Sequence, residues 1–349
     1  MTRPTRPTLA DVATRAGVSL KTASRAVNGE YGVSKATSGK VLEAARELGF
    51  RPNHLARSLA AGGPSAAVGL VISSVSDPFI AAVAGAVESV LAPRDLQLLS
   101  ASHGDDAERQ RRIVRTFVER RLDALIVIPA PGDAHYLQAE IDHGLVVVAI
   151  DRPLDGVEVD TAVVDNRAGA AEAVARLVAR GHRRIAALGN NGRLWTLQER
   201  YAGYQDGLRA AGLPADDALV DLDCPDPAAA EQAVHRMLAL PDPPTAVFAG
   251  QHMAGRGTVR AMSRAGVALD LAVFDELVDT DLLITPPVVV VASGPDRLGH
   301  LAATMVMERL DGLDVPPRYE MLPPLFLDRG QAYQPQPPTS HADRPVVTR

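Results

Sequence analysis

The sequence predicts an all-α helix-turn-helix head followed by an α/β body of two doubly wound lobes. Three observations lead there. Charge is split along the chain: Met1 to Gly63 carries ten Lys and Arg against four Asp and Glu, a balance of +6, which leaves −12 on the rest of a chain of net charge −6. All three lysines, Lys21, Lys35 and Lys40, fall in that first segment. A basic head on an acidic body points to a polyanion-binding module fused to something else. The second observation is a set of short helices with start and stop signals in the first fifty residues. The third is an alternation, from Ala66 onward, of short apolar runs with amphipathic stretches. A length of 349 residues fits two or three domains.

The head is read in chain order. Thr8-Leu9-Ala10-Asp11 is a capping box, with a hydroxyl at the N-cap and a carboxylate three residues on. That helix runs to about Arg15, and Ala16-Gly17-Val18 is a tight turn. Ser19 caps a second helix that ends near Asn28-Gly29. Two short helices around a Gly-containing turn match a helix-turn-helix. Ser34 opens a third helix, apolar at Val41, Leu42, Ala45 and Leu48, and Gly49 stops it. In the second helix Lys21, Ser24, Arg25 and Asn28 recur at i, i+3, i+4 and i+7 and share one face. A solvated surface explains most such stripes. In a major groove, however, Lys21 and Arg25 suit guanine edges, and Ser24 and Asn28 suit phosphate or adenine.

The stretch FRPNHLARSLAAG, Phe50 to Gly62, resembles the hinge of the lactose-repressor (LacI/GalR) family, and the whole run from Thr8 to Leu59 is similar to that family's DNA-binding head. The resemblance implies DNA contact by Ser19, Leu20, Lys21, Thr22, Ser24, Arg25 and Asn28. It implies a phosphate-side cap at Val33, Ser34 and Thr37. It also implies a hinge helix over Asn53 to Leu59, with Asn53 and Arg57 among its DNA-facing residues. There Leu59 is a minor-groove wedge beside Ala56, an apolar group that unstacks a base step and kinks the duplex. A plain linker residue is the bland alternative for Leu59. Ser38 stands where the family carries an arginine, which puts one phosphate contact in doubt. Gly39 inside the third helix costs about 1 kcal/mol.

In the body, AAVGLVIS, LQLLSA, ALIVI and LVVVAI read as buried parallel strands. Helical stretches near Phe79–Leu91, Asp105–Arg121 and Asp133–His143 separate them. A second series, TAVV, RIAALG and TAVFA, alternates with helices near Arg167–Arg180, Gln198–Ala211, Ala228–Leu240 and Met253–Ala265. Two series imply two lobes, with a cleft at the strand C-termini. The body resembles the periplasmic-binding-protein-like body of the same family. That resemblance implies three crossings between lobes, VVVVAS returning to the first lobe and the strand near Leu325 to the second. The domains expected are a head over 1–49, a hinge and linker over 50–65, the two-lobed body over 66–332, and a Pro-rich, disordered tail over 333–349.

The resemblance also implies a pocket. Asp77 and Phe79 follow the first strand, although Asp77-Pro78 is a good turn anywhere. Asp151 and Arg152 end the fourth strand and also suit a surface ion pair. Arg200 matches the family's effector clamp, and Asp275 matches a carboxylate that binds ligand hydroxyls. Trp195, the only tryptophan, suits stacking on a sugar ring. Guanidinium forks and carboxylates hold vicinal hydroxyls. Gly250-Gln251 departs from the family's Asn-Asp, leaving Gln251 as a replacement amide, and the segment from Gly266 to Phe274 is shorter than usual. A remodelled or unresponsive pocket is therefore the second expectation.

Other functions fit less well. No G-x-S-x-G, P-loop, H-E-x-x-H or C-x-x-C motif occurs, so no catalytic residues, cofactor or metal are expected. The single cysteine, Cys224, allows no intrachain disulfide. No apolar run reaches a membrane span and the N-terminus is no signal peptide, so a cytoplasmic protein without a membrane partner is expected rather than a transporter's solute-binding protein. No leucine heptads follow the body, which favours a dimer. The expected protein is a sequence-specific DNA-binding transcriptional regulator: a repressor homodimer on a palindromic operator, controlled by a small-molecule carbohydrate effector.

Overall fold

The structure is a computed structural model and describes residues 7–50, 65–275 and 288–329. The expected hinge residues Asn53, Ala56, Arg57 and Leu59, and the expected tail over 333–349, lie outside the described residues. The chain divides into two compact units, Met1–Ser65 and Ala66–Arg349.

The first unit holds α1 (Leu9–Ala16), α2 (Leu20–Val27) and α3 (Lys35–Glu47). Thr8 closes both halves of its capping box: its hydroxyl accepts from the Asp11 amide at 3.3 Å, and the Asp11 carboxylate accepts from the Thr8 amide at 2.7 Å. Gly17 takes the left-handed conformation, φ 69°, that ends α1 and turns the chain toward α2. Val12, Ala13, Ala23, Ala26, Val41, Ala44 and Ala45 form the core of the three helices. Leu42 lies outside it, 51% exposed, because Val41, Ala44, Ala45 and Leu48 already define the inward stripe. The α3 helix runs through Gly39 without a break.

The body contains β1 (Ala67–Ile72), α4 (Pro78–Leu91), β2 (Gln97–Ser102), α5 (Ala107–Glu119), β3 (Ala124–Val127), α6 (Gln138–Asp142), β4 (Val146–Ile150) and β5 (Asp160–Val164). Then come α7 (Asn166–Ala179), β6 (Ile185–Leu188), α8 (Trp195–Ala210), β7 (Val220–Asp221), α9 (Pro227–Leu238), β8 (Ala246–Ala249), α10 (His252–Ala265) and β9 (Asp270–Phe274). The last are β10 (Val288–Ala292), α11 (Pro295–Leu310), β11 (Tyr319–Leu322) and β12 (Leu325–Arg329). One sheet has the order β11-β5-β4-β3-β1-β2 and the other β12-β10-β9-β8-β6-β7. Strand pairing is parallel except for β10 with β12. Central strands such as β1 and β3 are buried along their whole length, as sheets covered by helices on both faces require. Helices α4 and α11 pack together on one face of the first sheet. In the second lobe α7 packs on α8, and α9 on α10. Gly203 lets α8 approach α7 closely, since a Cβ there would overlap the Arg167 carbonyl.

Two strand assignments made from the sequence are corrected. The run TAVV belongs to the first lobe, because β5 pairs with β4 and β11 in the first sheet. The run VVVVAS does not return to the first lobe, because β10 pairs with β9 and β12 in the second sheet. Only α11 after it returns, and the chain crosses between lobes after β5, after β10 and between β11 and β12. A short apolar run states that a strand is buried but not which sheet it joins. The decisive residues are polar. Asp160, at the head of β5, accepts from Arg309 at 2.8 and 2.9 Å, and from the Arg318 side chain and amide at 3.0 and 2.8 Å. These bonds fasten the end of α11 and the start of β11 to the first sheet.

Burial of Asp160 works against its charge, but the hydrogen bonds from Arg309 and Arg318 outweigh it and hold the carboxyl well below the ordinary carboxylate range. A depressed folded-state value means stability that is present above the unfolded value and lost as pH falls toward the folded one. Asp160→Asn should therefore lose about 3 kcal/mol in urea unfolding at pH 7, because Arg309 loses its carboxylate partner and Arg318 keeps only Glu308. The loss should shrink as pH falls through the acid range. A pH-independent loss, or one below about 1 kcal/mol, contradicts this role.

Candidate functional site

The side chains at the C-terminal ends of β1, β4, β6, β8 and β9, taken from both lobes, meet in one cleft. Asp77 and Phe79 follow β1, Asp151 and Arg152 follow β4, Gln251 follows β8 and Asp275 follows β9. Arg200 reaches in from the second turn of α8. Seven of the eight residues expected for effector contact thus line one space. Trp195 does not. It lines an adjoining cavity with Pro131, Pro153 and Leu154. Sequence reading missed Ser73, Asn190, Thr196, Leu197 and His252 as lining residues. They come from loops and helix starts, where no periodic pattern marks an inward direction.

Arg200 is the most constrained of these side chains. It is 6% exposed. Its Nε donates to Asn166 Oδ1 at 2.7 Å and its Nη1 to the Gly250 carbonyl at 2.8 Å. The Asp275 carboxylate stands 3.9 Å from Nη1, and the guanidinium lies 4.0 Å over the Phe274 ring. Burial opposes its charge, while Asp275, Asp151 and Asp77 support it. Asp151 and Asp275 both sit in the left-handed region, φ 72° and 64°, immediately after their strands. Non-glycine residues hold that conformation only when their surroundings fix it. Asp275 is fixed by its amide, which donates to the Val291 carbonyl, and by its carboxylate, which accepts from the Ser293 amide at 3.2 Å.

The remaining polar groups complete the set. Arg152 donates from Nε to Asp151 at 3.1 Å. Its Nη1 is buried without a hydrogen-bond partner, and so is Gln251 Nε2. The other amide atom of Gln251 caps α10 by accepting from the Met253 amide at 2.6 Å. Asp77 caps α4 through the Phe79 amide at 2.9 Å. Burial raises the Asp77 carboxyl above its ordinary value. His252 and the Phe79 amide pull it down, and the carboxylates of Asp275 and Asp151 push it up. Three carboxylates and two guanidinium groups in one cleft suit a ligand rich in hydroxyls better than a dianion.

Gly250 departs from the expected asparagine for a visible reason. A Cβ there would come 2.7 Å from Leu197 Cδ1 and 3.1 Å from the Leu188 carbonyl oxygen. Leu197 therefore occupies the space into which a longer side chain would point.

On the head, the exposed face of α2 carries Lys21 and Arg25, with Ser24 and Asn28 half-buried beside them. Leu20 is also exposed, at 54%. Ser19 caps α2 through the Thr22 amide at 3.2 Å, and Ser34 caps α3 through the Thr37 amide at 3.1 Å. Both hydroxyls lie 2.9 Å from the partner threonine's. Val33 packs against the head core. These residues therefore shape the head's local structure whatever else they touch. Glu30, which the stripe did not include, lies 3.7 Å from Arg25 Nε and accepts from Asn28 at 3.2 Å.

Among the described residues no group of three His, Cys, Asp or Glu is placed to hold a metal ion. Cys224 is buried, and burial with the nearby Asp221 pushes its thiol up to about 12. Among the described residues no helix is long and apolar enough to cross a membrane.

A helix-turn-helix head and a two-lobed body with a polar cleft at its strand ends define a DNA-binding regulator built on a ligand-binding scaffold. Residues 8–53 match the model of bacterial regulatory proteins of the lacI family, and residues 65–320 match that of periplasmic binding proteins and the sugar binding domain of the LacI family. The chain belongs to the LacI family and is a helix-turn-helix transcriptional regulator, not an enzyme. It is 30% identical over 342 residues to the HTH-type transcriptional regulator GalR of Escherichia coli K12, covering 96% of this chain and 98% of that protein. Among solved structures, the complex of the transcriptional regulator CelR with cellobiose is 27% identical, with a TM-score of 0.68 over 93% of this chain and 99% of that one. The lac repressor dimer bound to operator shares the fold, with a TM-score of 0.75 at 23% identity over 93% of this chain and 99% of that one.

The packing at Gly250 can be tested directly. Gly250→Asn should destabilise the body by about 1–3 kcal/mol through overpacking. Adding Leu197→Ala should return part of that loss, giving a coupling of about 1 kcal/mol or more in a double-mutant cycle. Additive effects would show that Leu197 does not occupy this space.

Proposed function

We propose that this regulator is a repressor that binds a palindromic operator as a homodimer and responds to a small-molecule effector, a neutral carbohydrate, held between the lobes of its body. The observation that carries the reading is the convergence of Asp77, Asp151, Arg152, Arg200, Gln251 and Asp275 on one cleft. Alternating carboxylates and guanidinium forks can each engage a pair of adjacent hydroxyls, while Phe79 supplies an apolar wall. Two buried donors without partners, Arg152 Nη1 and Gln251 Nε2, favour a ligand that brings acceptors. GalR and the ribose operon repressor among the relatives, and the cellobiose complex of CelR, lend weight to a sugar.

On DNA, Lys21, Ser24, Arg25 and Asn28 read base edges in the major groove. Ser19, Leu20, Thr22, Val33, Ser34 and Thr37 set the head on the backbone. Asn53, Ala56, Arg57 and Leu59 form the minor-groove hinge, with Leu59 as the wedge. In this reading the head extends to residue 49, the hinge and linker to 65 and the body to 332, with the tail after it. Action on chromosomal DNA places the protein in the cytoplasm. Ligand and operator are coupled through the arrangement of the two lobes, with about 1–3 kcal/mol typical of such switches. A second reading, a remodelled pocket with altered ligand choice, is favoured by Leu197 standing where a family asparagine would reach the ligand.

Two substitutions separate the halves of this proposal. Arg25→Ala should cost about 1–3 kcal/mol on operator DNA and relax preference at one base pair per half-site in a fluorescence-anisotropy titration. Equal weakening on all sequences would make Arg25 a phosphate contact. Arg200→Ala should leave operator binding intact but abolish the response to the sugar that shifts the wild type, with a loss of ligand affinity by calorimetry. Unaltered sugar binding would show that Arg200 is not the clamp.

A further inference from the structure

Glu30 lies past the end of α2, yet its carboxylate reaches two polar side chains of that helix, Arg25 and Asn28. Its place is set by how the helix ends. Gly29 takes the left-handed conformation, φ 68°, and its amide donates to the Ala26 carbonyl at 3.3 Å. The Glu30 amide donates back to the Arg25 carbonyl at 2.9 Å. These two bonds form a Schellman ending, which brings the second residue past the cap against the residue three before it. That contact is commonly apolar. Here it joins a carboxylate to a guanidinium, with Glu30 Oε2 3.7 Å from Arg25 Nε.

The other carboxylate oxygen, Oε1, accepts from Asn28 Nδ2 at 3.2 Å, and the same nitrogen donates to Ser24 Oγ at 3.4 Å. A carboxylate only accepts, so the group that Asn28 turns toward it has to be the amide nitrogen. With both N–H groups engaged, the Asn28 carbonyl oxygen is the atom left for DNA. An asparagine that reads adenine through two bonds needs an N–H for N7 and its carbonyl for the N6 amino group. An asparagine with only its carbonyl free takes a base amino group alone, adenine N6 or cytosine N4. Arg25 is restrained at Nε, which leaves its Nη groups for the O6 and N7 of guanine. Gly32 carries no side chain to cover them: a Cβ there would stand 3.4 Å from Nη1. A carboxylate on this surface repels phosphate whatever the sequence, so any gain from Glu30 has to come through the side chains it holds.

We infer that Glu30 is a positioning residue for operator choice. It fixes Asn28 as an acceptor that takes adenine or cytosine at one position of each half-site, and it steadies Arg25 for guanine at another. The inference rests on the reading of α2 as the base-reading helix. It goes further by assigning a residue outside that helix and a class of base at one position.

The test is selection from a fully randomised duplex library by the full-length protein, with sequencing of the bound DNA. The wild type should select a half-site with one position that takes A or C on the same strand and excludes G and T, and another that takes G alone. Glu30→Ala should free the Asn28 amide and sharpen the first position to A over C by about fivefold or more. The same substitution should weaken the preference for G at the second position by about fivefold. Glu30→Gln should keep the mixed A or C position, because its amide carbonyl still accepts from Asn28, and should weaken the preference for G as the alanine variant does. A wild type that takes A alone at the first position overturns the inference. So does a Glu30→Ala selection identical to the wild type's, even with tighter binding to every sequence. In either case the base-reading role of α2 stands if Arg25→Ala still changes the selected bases. An Arg25→Ala selection identical to the wild type's overturns both.

Discussion

A buried guanidinium is the constraint on which the ligand-binding body is organised. Arg200 has to stay charged away from water, so its surroundings have to supply partners on every side. They come from separated parts of the chain: Asn166 at the start of α7, the Gly250 carbonyl after β8, Asp275 after β9, and the Phe274 ring beneath. Each of these positions is then fixed by something else. Asp275 is held in a left-handed conformation by β10 and the residue after it. Gly250 is pressed by Leu197, one helical turn before Arg200. The clamp is therefore a product of the second sheet's strand order, and a change at one strand end would be felt at the others.

The first lobe solves a related problem with the charges reversed. There a buried carboxylate, Asp160, is surrounded by two arginines from the returning segment of the chain. It secures the segment that crosses between lobes while leaving the cleft itself free of that duty. Structural charge and candidate ligand-binding charge are thus kept apart. Asp160 accepts all of its hydrogen bonds from Arg309 and Arg318, although Arg318 Nε, like Arg152 Nη1 and Gln251 Nε2 in the cleft, is buried without a partner.

Much of this was legible in the sequence because local chemistry carried it. Thr8, Ser19 and Ser34 announce helix starts by side-chain bonding to the backbone two or three residues on, and all three do so here. The strand-to-helix alternation set the two-lobed architecture. The cleft residues were legible through the resemblance of their motifs. What could not be read was sheet membership, since β5 and β10 look alike as apolar runs: β5 is tied to the first sheet through Asp160 by Arg309 and Arg318, while β10 pairs with β9 and β12 in the second. Trp195 was drawn into the main cleft because it stands five residues before Arg200. On a helix that spacing turns its side chain away from Arg200's face, and it lines the neighbouring cavity instead. Glu30 was missed because the α2 stripe was read only along the helix, and Glu30 lies past its end.

The account joins two binding events, one on the head and one in the body, and its central claim is that they are linked. Linkage is reciprocal: a sugar that changes operator affinity by some factor must have its own affinity changed by the same factor when operator is bound. The most direct measurement is calorimetric titration of the sugar into the full-length protein, alone and saturated with operator DNA. The account predicts two different affinities, whose ratio equals the ratio of operator affinities with and without sugar. Identical sugar affinities in the two titrations would show a cleft that binds without regulating, and would contradict it.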